Sequence, residues 1–175
     1  MQPTCTGRKD PIDPVVNKEL TSESEVRLVA AEYETKGAED VLRWVLGTFG
    51  SRAAISTSFQ AEGMVVIDMA CRIQPDVRVF TIDTGRLPQE TYNLIDEVRK
   101  QYGIAVEVYS PNQDELAEFV LQNGINSFYE SVSKRLLCCE IRKVNPLKRV
   151  LSNLDAWITG NRRTQSDIRS GAAKI

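Results

Sequence analysis

Not one histidine occurs among the 175 residues. That removes the Ser-His-Asp and Cys-His catalytic units and every histidine metal ligand, leaving acid–base work to Asp, Glu, Lys, Tyr or Cys. Aromatic residues make up only 7%, and few lie among the cations of the C-terminal stretch, which argues against a nucleic-acid surface. No apolar run approaches the roughly 20 residues of a membrane span. The opening Met1–Asp10 is polar, contains Pro3 and does not look like a secretory leader. Four cysteines, Cys5, Cys71, Cys138 and Cys139, have no secreted disulfide spacing. The resulting expectation is a cytoplasmic protein with neither a membrane nor a nucleic-acid partner.

What remains is an ordinary globular balance, 42% hydrophobic and 26% charged. The length suits one domain able to fold without disulfides. The net charge of −2 conceals an asymmetry. Residues 1–133 carry 12 Lys+Arg against 21 Asp+Glu, or −9, and residues 134–175 carry 10 against 3, or +7. A basic end on a balanced chain points to a local site for a small anion.

Residues 1–20, with Pro3, Pro11 and Pro14, read as an irregular arm, and 21–175 as the folded domain. Ser22 with Glu25 is a capping-box signature ahead of Val26, Val29, Ala30 and Tyr33 at helical spacing. A second helix carries Val41, Leu42, Val45, Leu46 and Phe49 and stops at Gly50. From residue 52, short apolar runs (Ala53–Ser56, Val77–Ile82, Ala105–Tyr109, Ala156–Thr159) alternate with helical stretches. That pattern predicts an α/β fold, a parallel sheet with helices on both faces, with ligands at the carboxyl ends of the strands.

Three segments follow those ends, and a cysteine pair stands apart from them as a fourth feature. Ser56-Thr57-Ser58-Phe59-Gln60-Ala61-Glu62-Gly63 leads into a helix; it suits a phosphate cradle, or an ordinary turn capped by Ser58, and lacks Walker spacing. In Asp83-Thr84-Gly85-Arg86-Leu87-Pro88, Asp83 or Thr84 could hold a ribose or adenine edge, or cap the turn. Gly85 suits a positive φ and Pro88 a first helical turn. Gly160 to Arg169 holds Arg162, Arg163 and Arg169, guanidinium forks suited to phosphate or sulfate, or a solvated charged loop. Cys138 and Cys139 stand too close for an unstrained disulfide. Followed by Arg142 and Lys143, they suit a metal or iron–sulfur group, or are two small buried hydrophobes. Cys71 reads as core packing and Cys5 as incidental.

Together these segments resemble the adenylyl-sulfate and phosphoadenylyl-sulfate reductase family. The matching stretches are Ser58–Met64, Asp83–Leu87 with Glu90-Thr91-Tyr92, Cys138–Lys143 with Pro146-Leu147, and Gly160–Arg169, over roughly 44–170. The paired cysteines resemble the adenylyl-sulfate branch. The resemblance implies an adenine-nucleotide α-hydrolase (PP-loop type) sheet, reduction of adenylyl sulfate to sulfite and AMP with thioredoxin as donor, and a role in cysteine biosynthesis. It further implies a [4Fe-4S] cluster with Cys138 and Cys139 as two of its ligands. Ser56, Ser58, Phe59, Gln60, Asp83, Thr84, Gly85, Gly160, Arg162, Arg163, Gln165 and Arg169 would then line the substrate, with Lys143 between cluster and sulfate. The family's later CxxC pair and its nucleophilic cysteine have no counterpart before Ile175, so the expectation is a fragment lacking complete catalytic apparatus. Thr164 stands where the family more often has Asp. Alternatives are a phosphoadenylyl-sulfate reductase, an adenylating pyrophosphatase (disfavoured by Phe59-Gln60), or a non-enzymatic nucleotide- or cluster-binding module. Homo-oligomerisation, including a cluster shared between two chains, is left open.

Overall fold

The structure, a computed structural model, describes residues 22–175. The arm expected over 1–20, and Cys5, lie outside the described residues. Helix α1 (Glu23–Tyr33) starts as its capping box requires: Ser22 Oγ accepts from Glu25 N–H at 3.3 Å, and Glu25 Oε2 accepts from Ser22 N–H at 3.2 Å. Helix α2 (Ala38–Phe49) buries Leu42, Val45 and Leu46 and ends at Gly50, whose φ is 51°. Trp44 joins the two, stacking on Tyr33 at 5.3 Å.

Then come β1 (Ala53–Ser56), α3 (Ala61–Ile73), β2 (Val79–Ile82), α4 (Gln89–Tyr102), β3 (Val106–Tyr109), α5 (Gln113–Asn123), α6 (Val132–Cys139), α7 (Asn145–Leu151) and β4 (Ala156–Thr159). All pairings are parallel, in the order β3-β2-β1-β4. The alternating face of each strand divides the core. Ala53, Ile55 and Val79 face α2, α3 and α4, where Leu46, Ile67, Ala70, Cys71, Ile95 and Val98 meet them. Ala54 and Phe80 face the other way, onto Val150 of α7. Each large side chain buried here contributes about 1.5–3 kcal/mol. Cys71, 2% exposed, is core packing, as its neighbours in sequence imply.

Strands β2 and β3 begin at Val79 and Val106, slightly later than the apolar runs from Val77 and Ala105. Pro88 precedes α4 rather than entering it, with ψ at 154°, extended backbone. Between α6 and α7 the helix widens over Glu140–Val144 into a π turn in which Asn145 N–H reaches Glu140 O. The widening ends two residues before Pro146, whose ring and missing N–H disrupt a tight α turn.

Candidate functional site

In this order β1 connects onward to β2 on one side but pairs with β4 on the other. The switch point therefore lies between the carboxyl ends of β1 and β4, where a crevice opens in such sheets. After β1, Thr57 is buried and its Oγ1 accepts from Phe59 N–H at 2.9 Å. That turn holds Phe59 at φ 59°, a left-handed conformation costing a non-glycine residue about 1–2 kcal/mol. Burial of the Phe59 ring in the main core offsets the strain. Ser58 and Gln60 point the other way and are exposed, while Ser56 is half-buried. Gln60, not Ser58, precedes α3, and no side chain of that residue caps the helix. The simple capped turn is thus not what the sequence builds.

Two glycines make this corner. A Cβ on Gly63 would fall 2.4 Å from Thr57 Oγ1, and one on Gly160 would fall 2.9 Å from the carbonyl carbon of Glu62 and 3.0 Å from Gly63 N. Close approach, not flexibility, requires glycine at both. The chain leaving β4 therefore passes directly over the first turn of α3.

The loop after β2 is braced from within. Asp83 Oδ1 accepts from Gly85 N–H at 2.8 Å and from the Tyr92 hydroxyl at 3.0 Å, and Gly85 has φ 69°. Donation to Asp83 raises the Tyr92 hydroxyl above its ordinary pKa. One Asp83 oxygen therefore serves the loop itself. Arg86 lies over the Phe128 ring at 4.7 Å and donates to Asn126 Oδ1 at 2.6 Å, tying the loop to the segment before α6. Thr84 is buried, and its carbonyl accepts from Arg142 Nη1 at 2.6 Å.

Cys138 and Cys139 close α6 as free thiols, the first buried against Phe119 and Ile141, the second half-buried. Lys143 is exposed. Arg142 is only 5% exposed, has no carboxylate partner among the described residues, and leaves its Nε unbonded. An uncompensated interior cation one helical turn from two thiols suits a negatively charged neighbour. A four-iron cluster needs four ligands, however, and no group of three or more metal-ligating side chains converges among the described residues. The described residues by themselves do not fit a whole cluster.

The loop after β4 is exposed, and its arginines are engaged by carboxylates and amides. Arg162 donates from Nε and Nη2 to Glu62 Oε1 at 3.1 and 2.5 Å. Gln165 Oε1 accepts from Arg162 N–H at 3.2 Å and from Arg169 Nη1. Arg163 pairs with Glu34 at the end of α1 at 2.6 Å, and Lys174 donates to the carbonyls of Glu34 and Lys36. The Glu62 carboxyl titrates below its usual range, through its own backbone N–H first, then Arg162 and Gln165. Glu34 is lowered chiefly by its hydrogen bond from Arg163. The structure thus joins the start of α3, just after the β1 loop, to the β4 loop through Glu62, Gly63, Gly160 and Arg162, and the β2 loop to the segment after the cysteines through Thr84 and Arg142. Arg163 is instead drawn toward α1.

The Glu62, Tyr92 and Arg142 contacts were not legible as site features. Each stands inside a motif, but only the tertiary contact gives it a role.

A family model for the phosphoadenosine phosphosulfate reductase domain matches residues 52–174, from the residue before β1 through the arginine loop. The chain belongs to the phosphoadenosine phosphosulfate reductase family. Among curated members it is 45% identical over 115 residues to an adenosine 5'-phosphosulfate reductase of Allochromatium vinosum, covering 66% of this chain and 45% of that one. It is 44% identical over 138 residues to the enzyme of the same name from Pseudomonas aeruginosa, covering 79% and 51%. The chain thus spans about half the length of these relatives. A crystal structure of phosphoadenylyl-sulfate reductase from Candida auris, a phosphate complex, superposes with a TM-score of 0.66 at 28% identity, over 81% of this chain and 68% of that one. The parallel sheet and this neighbour make the fold a PP-loop-like nucleotide-binding α/β fold. No helix among the described residues of this family member is long and apolar enough to cross a membrane.

Proposed function

We propose that this chain binds adenylyl sulfate at the carboxyl edge of its sheet and forms the nucleotide-binding part of an adenylyl-sulfate reductase. The observation that carries the reading is the meeting of the β4 loop with the first turn of α3 at the switch point, Gly160 and Arg162 of the loop against Glu62 and Gly63 of the helix. The names of the curated relatives support adenylyl sulfate as the nucleotide. In the proposed reaction a dithiol such as thioredoxin supplies two electrons. The bond from sulfur to the AMP phosphate oxygen breaks, AMP and sulfite leave, and the dithiol becomes a disulfide with loss of two protons.

The part of this chain is to bind and orient. Ser56, Ser58, Phe59 and Gln60, with the N–H groups opening α3, receive the phosphate. Asp83, Thr84 and Gly85 flank the nucleoside. Gly160 lets the β4 loop approach, and Arg162, Arg163, Gln165 and Arg169 receive the phosphosulfate anions. Lys143 adds a cation on the sulfate side. Arg163 joins only by exchanging Glu34 for the ligand. Cys138 and Cys139 are the two thiolates offered to an iron–sulfur group. A cytosolic setting, where thiols stay reduced, suits them, and the reaction belongs to sulfate assimilation toward cysteine.

The Candida auris neighbour favours a second reading, in which the nucleotide carries a 3′-phosphate. Titrating the 175-residue chain with adenylyl sulfate and with its 3′-phosphorylated form, read by intrinsic fluorescence, separates the two. Tighter binding of adenylyl sulfate is expected, with Arg162→Ala and Arg169→Ala each weakening it about tenfold, the scale of a lost charge-assisted hydrogen bond. Preference for the 3′-phosphorylated form moves the assignment to the second reading, and binding of neither rejects both.

A further inference from the structure

The geometry points to Glu62 as the positioning residue of this anion site, acting through the arginine loop rather than on the ligand; the inference rests on the reading above. Glu62 lies in the first turn of α3, and its carboxylate gathers the loop after β4. Arg162 gives it two donors, Nε and Nη2, both on Oε1. The Gln165 side chain, beside it in the same loop, also helps hold the Glu62 carboxyl below its usual range. From Arg162 the order passes on, because Gln165 Oε1 accepts from Arg162 N–H and from Arg169 Nη1. The carboxylate therefore fixes Arg162 directly, and Arg162 in turn is linked to Arg169 through Gln165.

A guanidinium has five N–H donors in a rigid plane, so an acceptor on one edge determines where the other edge faces. Glu62 takes the Nε–Nη2 edge of Arg162 and leaves Nη1 for another acceptor. Exposed ion pairs contribute little to stability, and the Arg162 side chain is 62% exposed. The value of the pair lies instead in orientation before binding, which reduces the ordering cost when the ligand arrives. The backbone reinforces it: Gly160, where an added Cβ would fall 2.9 Å from the Glu62 carbonyl carbon, lets the β4 loop lie directly over this helix turn.

Glu62→Gln, which keeps the shape and removes the charge, tests the assignment in the 175-residue chain. Adenylyl sulfate should bind about tenfold more weakly, on the scale of a charge-assisted hydrogen bond, while the melting temperature stays unchanged. In an Arg162→Ala background the same change should add less than about a twofold effect, because the two residues act as one unit. Glu62→Asp, retaining the charge, should fall between wild type and Glu62→Gln. Amide exchange over residues 161–169 should quicken in Glu62→Gln without any ligand. Tighter binding in Glu62→Gln would mean that Glu62 merely repels the anion, and equal losses in both backgrounds would mean that it does not act through Arg162. Either result overturns the assignment. If the wild-type chain binds no adenylyl sulfate, the reading of the site fails by itself. Unchanged exchange over 161–169 would then separately overturn the role of Glu62.

Discussion

Arg142 and Thr84, 58 positions apart, meet in the interior, where Nη1 of the guanidinium donates to the Thr84 carbonyl at 2.6 Å. The bond fastens the loop after β2 to the helix that carries Cys138 and Cys139. It does so with a buried charge that has no carboxylate partner among the described residues and an unbonded Nε. A structural brace alone would not need that charge, since burying one without a partner costs several kcal/mol.

Arg142→Met therefore tests stability against binding. Loss of the hydrogen bond to Thr84 and relief of the buried charge oppose each other, so unfolding free energy should change by only about 1 kcal/mol. Adenylyl sulfate binding should fall about tenfold as the Thr84 loop loosens. Urea unfolding and a fluorescence titration measure the two. A stability loss of several kcal/mol with unchanged affinity would show a purely structural residue.

Gly160→Ala should destabilise the fold by about 1–3 kcal/mol, because its Cβ would meet the backbone of Glu62 and Gly63 rather than a yielding side chain. Binding should suffer as well, since the loop must lift to relieve the contact. Thermal melting checks the first effect. A melting temperature equal to wild type would refute the close approach.

Glu107 gives a pH dependence whose sign is fixed. Hydrogen bonds from Arg78 first, and from Tyr109, hold its carboxyl below its ordinary pKa. A lowered folded-state pKa contributes stability that is fully present above the unfolded value of about 4.3 and disappears as pH falls through the folded value. Glu107→Gln should thus be about 1 kcal/mol less stable than wild type at pH 7, a modest figure for a pair with side chains 31% and 29% exposed. The two proteins should converge near pH 3. Urea midpoints at both pH values decide it; an undiminished gap in acid would contradict the ion pair.

Thiol accessibility distinguishes the cysteines. In a Cys5→Ser background, a bulky disulfide reagent should modify half-buried Cys139 well before buried Cys138 and Cys71. Peptide mapping after timed quenching gives the order. Earlier labelling of Cys71 would contradict its place in the core.

Much of this fold is written in local pattern. The four strands are short β-branched or alanine-rich runs, and Ser22 with Glu25 marks the start of α1 in sequence and structure alike. Gly85 was legible because a turn needing positive φ tolerates few other residues. The roles of Gly63 and Gly160 were not, since the obstacle each avoids belongs to a different segment: Thr57 for one, Glu62 for the other. Phe59 gives no signal of its left-handed backbone, because its burial in the core and the Thr57 hydroxyl impose it.

The sequence by itself determined the parallel α/β plan, the lack of histidine among these 175 residues and the concentration of cations toward their C-terminal end. Those depend on composition and on spacing within single elements. Tertiary structure decided which charges meet. Arg162 faces Glu62, Arg163 turns to Glu34, and Arg142 is buried without a carboxylate partner among the described residues. Arginines of one sequence stretch look alike on paper, but packing sets their distances, and distance and burial set what each charge can do.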